Sequence, residues 1–272
     1  MRNLDKINLA LLSPSRTTVW TSIFPLFAGL FSLALAGQTV PGPLWRNPLQ
    51  IVGLVVFLVA CLGFLVPWLF KWDWQAKFFG VSFIFLGTLS LICIVPLLLL
   101  VFHSNLWWPV RAFIFILYFL LHAAWCFRFI VFYKNISESN ELFSIMYVEE
   151  EDAVYFFQEV DRYLIEKIFK FRQIPSDLIF AVPMVIAVSA TFAIEVVKEL
   201  VGLSFVHIFM VIAGLPVSLM CFGIAAKAAL VFYYYPTKIW SRTGKRVYVD
   251  MNTLPDNLIG TVKKWKGANP RK

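Results

Sequence analysis

Long apolar stretches recur six times along this sequence. They cover residues 19–36, 49–70, 78–102, 112–132, 178–197 and 203–226. A helix needs about 20 predominantly apolar residues to cross the hydrocarbon core of a bilayer. Charged residues make up only 15% of the chain, against roughly a quarter in soluble globular domains. The sequence therefore excludes an ordinary soluble domain and predicts an all-α, multi-pass membrane protein with six transmembrane helices.

Breaks between these stretches divide the chain into five predicted segments. Glycine, proline or charged residues end each of the first three stretches, so the first four helices form consecutive hairpins. The predicted segments are an N-terminus at 1–18, a four-helix transmembrane region at 19–133, a polar segment with an amphipathic helix at 134–177, a transmembrane hairpin at 178–234 and a basic tail at 235–272.

A short polar stretch joins the last two predicted helices. It contains Glu195, Lys198 and Glu199, whose spacing allows side-chain pairing on one helical face. Because so few residues separate the two apolar runs, the pair is predicted to be either a tight hairpin or a re-entrant segment.

Basic residues set the predicted orientation, because cytoplasmic loops retain Lys and Arg. With both termini in the cytoplasm, 21 of the 24 Lys and Arg residues lie inside, and the exceptions are Arg46, Arg111 and Lys198. The expected location is an integral, multi-pass position in a bacterial inner membrane, with the segment at 134–177 and the tail in the cytoplasm.

Apolar side chains recur at steps of three and four between residues 152 and 171, which predicts an amphipathic helix. An acidic run at 149–152 precedes it and is expected to favour the start of the helix through the helix dipole. The opposite face mixes positive and negative charges, whereas helices that lie on membranes usually carry Lys and Arg there. The apolar face is therefore predicted to bind a partner protein through Phe156, Phe157, Val160, Leu164 and Ile168.

The C-terminal tail is strongly basic, and anionic lipid headgroups are its predicted partner. Each basic residue near such a surface contributes about 1 kcal/mol. The predicted headgroup contacts are Lys238, Arg242, Lys245, Arg246, Lys263 and Lys264. Few aromatic residues interleave these charges, so nucleic acid is disfavoured as a partner.

Ionisable residues are scarce at membrane depth. The first four predicted helices contain no carboxylate, which argues against an ion-coupled transporter. His122 and Arg128 are the intramembrane polar candidates: Arg128 is near enough to the inner end to reach the headgroups, and His122 is either a packing residue or a site. The three His and four Cys residues show no metal-ligand spacing, and no standard catalytic motif is present. No enzyme activity, metal or cofactor is predicted.

Small residues recur along two of the predicted helices, where they allow close helix contacts in lipid. One set consists of Ala28, Ser32 and Ala36, and the other of Gly214, Ser218, Cys221 and Ala225. Both stripes are predicted to pack against protein.

These features favour a non-catalytic membrane subunit that docks partner proteins through its cytoplasmic helix and basic tail in a larger secretion, conjugation or defence assembly. One alternative is a homo-oligomeric channel, whose pore would be lined by Thr21, Ser22, Ser32, Ser82, Thr88 and Ser90. A second alternative is a toxin-immunity or sensor protein of the membrane.

Overall fold

The computed structural model describes residues 14–39, 46–69 and 74–250. The protein is mostly helical (82%). By length and composition, three helices are suited to crossing a membrane: Ala76–His103, Trp108–Glu138 and Leu215–Thr243. A bent pair, Asp177–Phe192 with Ile194–Val201, supplies a fourth candidate. The structure thus has three to four candidate spans.

The elements within these residues follow one another in a simple order. The helices are α1 (Pro14–Thr39), α2 (Pro48–Leu69), α3 (Ala76–Leu86), α4 (Leu91–His103), α5 (Trp108–Glu138), α6 (Asn140–Met146), α7 (Gln158–Tyr163), α8 (Asp177–Phe192), α9 (Ile194–Val201), α10 (Phe205–Ala213), α11 (Leu215–Ala228) and α12 (Tyr235–Thr243). The strands are β1 (Tyr147–Glu149), β2 (Ala153–Phe157) and β3 (Arg246–Asp250). A 3₁₀ turn at Gly87–Ser90 joins α3 to α4, and π-helical turns at Leu164–Ile168 and Ala229–Tyr234 follow α7 and α11.

Two glycines bring α1 and α2 into close contact. A Cβ atom added to Gly29 would lie 3.1 Å from the carbonyl oxygen of Gly53, and one added to Gly53 would lie 3.3 Å from that of Gly29. The neighbouring stripe of α1 is buried, as predicted, at Ala28, Ser32 and Ala36. Shorter apolar helical stretches, Ser22–Gln38 and Pro48–Leu62, lie within α1 and α2 and are not among the three to four candidate spans. The six-span topology therefore remains a prediction.

Small residues also bring the long α3–α4 helix against α11 and the π turn that follows it. A Cβ added to Gly80 would contact Phe232, and one added to Gly87 would contact Ala225. A Cβ added to Gly214 would contact Cys93. Close helix approach through small residues is typical of membrane bundles. The second predicted stripe thus packs on protein.

The fifth predicted span is not one straight helix. α8 and α9 meet at an angle of 98° after Phe192. Helix α9 carries three charged residues, Glu195, Lys198 and Glu199, and charges of this kind are costly inside hydrocarbon. At the end of α9, the backbone N–H of Asn105 donates to the Val201 carbonyl at 2.8 Å, which ties α9 to the loop after α4.

A three-stranded sheet lies at the opposite end of the bundle. β2 pairs antiparallel with β1 and parallel with β3, with Tyr147 opposite Phe156 and Val154 opposite Val247. The Val249 N–H donates to the Trp74 carbonyl just before α3. The prediction of an all-α fold is therefore correct only in part: the protein is mostly helical, and this small sheet was not predicted.

The predicted amphipathic helix is correct only in its second part. Residues Ala153–Phe157 form β2, and helix begins at Gln158. Consecutive branched and aromatic side chains favour a strand, and four of the five in β2 are buried. The acidic run at 149–152 consequently includes the end of β1 and the β1–β2 turn, and does not begin a helix.

The segment predicted as a basic tail is folded in its first part. Helix α12 continues α11 beyond the π turn, and β3 completes the sheet. Residues 251–272 lie outside the described residues.

Candidate functional site

The elements outside the candidate spans include a compact unit at the ends of the long helices. We call α6, β1, β2, α7 with its π turn, and β3 the sheet unit. Its apolar side chains share one hydrophobic core with α3, α5, α11 and α12. The unit is thus packed on the helix bundle as part of the same interior.

A buried ion pair lies where the sheet unit meets the bundle. The Lys227 ammonium at the end of α11 lies 2.6 Å from Asp161 Oδ2 on α7. The Asp161 side chain is 1% exposed and that of Lys227 is 18% exposed. The Tyr133 hydroxyl of α5 donates to Asp161 Oδ1 at 3.0 Å, and Lys227 also donates to Gln173 Oε1 at 3.3 Å. This network, Asp161–Lys227–Tyr133–Gln173, is the junction network.

Two more tyrosines near the junction network donate hydrogen bonds to backbone carbonyls. The Tyr147 hydroxyl of β1 donates to the Val231 carbonyl at 2.5 Å, and that of Tyr235 donates to the Tyr133 carbonyl at 3.0 Å. Burial, reinforced by the negative charge of Asp161, raises the pKa of Tyr147 well above its usual value. Tyr147 therefore stays protonated and remains a hydrogen-bond donor.

Both partners of the ion pair are close in sequence to π-helical turns. Asp161 precedes the turn at Leu164–Ile168, and Lys227 precedes the turn at Ala229–Tyr234. π-Helical turns are rare and occur frequently at functional sites. Tyr147 donates to a carbonyl inside the second turn, so the sheet unit also supports the irregular backbone between α11 and α12.

The junction network holds α7 in a fixed position against α5 and α11. Removing one partner of a buried ion pair typically costs about 3–5 kcal/mol, because the other charge stays buried without compensation. The pair consequently links the position of α7 to that of α11.

This ion pair was not predicted from the sequence. Lys227 is the only Asp, Glu, Lys or Arg between residues 203 and 235, which was the available signal. Asp161 lies far from Lys227 along the chain and close to charged positions that face solvent, so its partner was not evident.

The residues predicted to bind a partner lie inside the protein. Phe156, Phe157, Val160 and Leu164 are buried in the core, and Ile168 packs against it. The chain's own bundle covers this apolar face, so its predicted availability to a partner was wrong. The charged face of α7 is the outer one, where Arg162 lies 3.7 Å from Glu159 and 3.2 Å from Glu166.

The two intramembrane candidates have different surroundings. His122 is buried, with Nδ1 2.8 Å from the Tyr118 carbonyl and Nε2 2.8 Å from Ser218 Oγ on α11. It therefore links α5 to α11. Arg128 is exposed and stacks on the Trp125 ring at 4.6 Å, with the Phe171 ring at 5.5 Å.

The predicted headgroup residues separate into three groups. Lys238, Arg242 and Arg246 are exposed on α12 and β3. Lys245 instead pairs with Glu149 at 2.7 Å and donates to the Glu150 carbonyl at 2.9 Å. Lys263 and Lys264 lie outside the described residues. Lys245 thus contributes to the sheet unit itself.

The predicted pore-lining hydroxyls do not form an exposed face. Ser22, Ser32, Ser82 and Ser90 are buried within the chain. The Thr88 hydroxyl donates to the Phe85 carbonyl at 2.6 Å, and the Thr21 side chain lies outside what the structure describes. A pore formed between copies of the chain would need hydroxyls on the outer surface, so this lining was wrong for the buried serines.

Comparisons with known proteins add no assignment. Within the described residues, no group of three or more His, Cys, Asp or Glu side chains could hold a metal ion. The chain matches no protein-family profile, no curated protein and no solved structure.

Proposed function

We propose that this protein is a non-catalytic membrane subunit whose sheet unit binds a partner protein and transmits that contact to the membrane helices. The observation that carries the proposal is the buried Asp161–Lys227 pair, which joins α7 of the sheet unit to α11. Because the unit and the bundle share one core, a force on the unit acts directly on the helices.

The outer face of α7 is the proposed docking surface. It exposes Glu159, Arg162 and Glu166, which alternate in sign along one side of the helix. Mixed charges of this kind fit a protein partner with complementary charges better than an anionic membrane, which selects Lys and Arg. The sequence predicted docking through the apolar face of this segment, and the proposal places it on the charged outer face of α7.

The proposed setting is a larger assembly in a bacterial inner membrane, with the sheet unit in the cytoplasm. The distribution of Lys and Arg supports this orientation, because the sheet end of the bundle includes α12 and the basic residues that follow α5. The exposed Lys238 and Arg242 on α12 are proposed to contact anionic headgroups there.

Site-specific photocrosslinking in the native host tests the docking role. A photoreactive amino acid replaces Glu166 on the outer face of α7, and a matched variant replaces Glu199 on α9 at the opposite end of the bundle. We expect a discrete protein adduct from position 166 and none from position 199. Adducts of equal yield from both positions, or none from any exposed α7 position, would contradict the proposal.

A further inference from the structure

A cavity of about 510 Å³ lies between the start of α3, helix α12 and strand β3. Its volume is in the range typical of small-molecule sites, roughly 300–1,000 Å³. Lys77 of α3 and Arg246 of β3, two residues that are remote in sequence, both line it. Nothing in the junction network contributes to its lining.

The lining of this cavity is positively charged. Nine of the residues that the structure describes line it, and these include Lys77 and Arg246 but no carboxylate. Both cations are exposed, so a ligand can reach them. A negatively charged group would therefore find two cations, and no carboxylate among the lining residues that the structure describes.

The cavity also has the aromatic character of a membrane interface. Tyr233 and Trp240 line it and are 52% and 58% exposed, and Phe78 lies beside the Lys77 ammonium, 5.2 Å from ring centroid to Nζ. Tyr and Trp are enriched at the headgroup level of membranes. Thr237 adds a hydroxyl to the lining.

The depth of the cavity follows from the length of the helix that begins there. The continuous helix Ala76–His103 has 28 residues, which at 1.5 Å per residue is about 42 Å long. The hydrocarbon core is about 30 Å thick, and about 40–45 Å with its headgroups. Lys77, at the first turn of this helix, therefore lies at the headgroup level if the helix spans the bilayer.

We infer that this cavity is a binding site for the phosphate headgroup of an anionic phospholipid. Lys77 and Arg246 contact the phosphate, while Tyr233 and Trp240 border the glycerol region. The inference rests on the membrane placement of Ala76–His103 and not on the proposed docking role. It extends the headgroup contact predicted for Arg246 to a defined site that includes Lys77.

Native mass spectrometry of the full-length protein in detergent tests this site. The purified chain is titrated with phosphatidylglycerol, and separately with phosphatidylcholine of the same acyl chains. Two double variants are compared: Lys77→Gln with Arg246→Gln, and the charge-matched control Lys167→Gln with Arg172→Gln, which removes two exposed cations from outside the cavity. Lys77→Arg serves as a conservative variant.

We expect the natural chain and Lys77→Arg to retain phosphatidylglycerol in preference to phosphatidylcholine. Binding by the cavity double variant should be about thirtyfold weaker, since each basic contact contributes about a factor of five, whereas the control changes less than about threefold. Excess inorganic phosphate should leave the lipid bound. Equal binding by both double variants, or equal retention of the two lipids, would overturn the inference. Complete displacement by inorganic phosphate would overturn it in favour of a soluble phosphate compound.

Discussion

The junction between the sheet unit and the bundle differs sharply from the α8–α9 pair. The junction buries the ion pair Asp161–Lys227 and a continuous aromatic core. In α8, by contrast, only Pro183 and Ala187 are buried, and in α9 only Val201. The difference teaches that, among the described residues, a large buried core lies at one end of the bundle, where polar groups are specifically paired. Much of the apolar surface of α8, by contrast, is exposed.

Replacing a phenylalanine by alanine in each of the two regions should give the largest difference in the free energy of unfolding. Phe156→Ala removes a ring that is 0% exposed, whereas Phe192→Ala removes one that is 89% exposed. We expect a loss of about 3–5 kcal/mol for the first and within about 0.5 kcal/mol for the second. Denaturant unfolding in detergent measures both, and similar losses would show that the two regions are packed alike.

Breaking the ion pair should have the next largest effect. Lys227→Met leaves the Asp161 carboxylate buried with the Tyr133 hydroxyl as its hydrogen-bond donor. We expect a loss of about 3 kcal/mol, which is partly recovered when Asp161→Asn is added. Lys198→Met on α9 is the control, since its pair with Glu195 is exposed and should contribute less than about 1 kcal/mol. Additive losses in the double variant of the junction would show that the two charges do not interact.

A methyl group added at a close helix contact should cost less. A Cβ at Gly80 would overlap with the Cβ of Phe232, so Gly80→Ala forces α3 and the π turn apart. We expect a loss of about 1–3 kcal/mol in thermal unfolding. The exposed Ala181 of α8 is the comparison, where Ala181→Leu should be nearly neutral. Equal effects would contradict the tight packing of α3.

Removing one hydroxyl should have the smallest effect. Tyr147→Phe deletes the donor to the Val231 carbonyl in the π turn, for an expected loss of about 1 kcal/mol, against almost none for the exposed Tyr234→Phe. The raised pKa of Tyr147 adds a pH dependence. In the unfolded chain the Tyr147 hydroxyl has a pKa near 10. Its contribution to stability is complete at pH values below that pKa and falls as the pH rises above it. Unfolding between pH 9 and 11 (a range set by the phenol pKa of about 10) should be less steeply pH-dependent in Tyr147→Phe, and an unchanged slope would exclude this contribution.

Local patterns in the sequence predicted the helices well. Apolar length identified the region of α3 to α5, and the stripe of Ala28, Ser32 and Ala36 identified a packed face, because both follow from neighbouring residues along one helix. The strand Ala153–Phe157 was missed because its stripe also fits a helical period, and its parallel partner β3 comes much later in the chain.

The site was less predictable for the same reason. Lys227 stands out in an apolar run, but its role depends on Asp161, which another element brings to it. The positions Phe156 and Val160 were correctly seen to need burial. What covers them, the ends of α3, α5 and α11, is set by tertiary packing that the local pattern does not encode.

Hydrogen exchange in the reconstituted full-length protein tests the coupling role of the junction most directly. Amide exchange is compared between the natural chain and Lys227→Met in β2 and β3 of the sheet unit and in the α1–α2 hairpin. Our account predicts that exchange in β2 and β3 accelerates by roughly a hundredfold, the equivalent of about 3 kcal/mol, while exchange in the hairpin is unchanged. Unchanged exchange in the two strands would contradict the claim that the Asp161–Lys227 pair holds the sheet unit on the membrane helices.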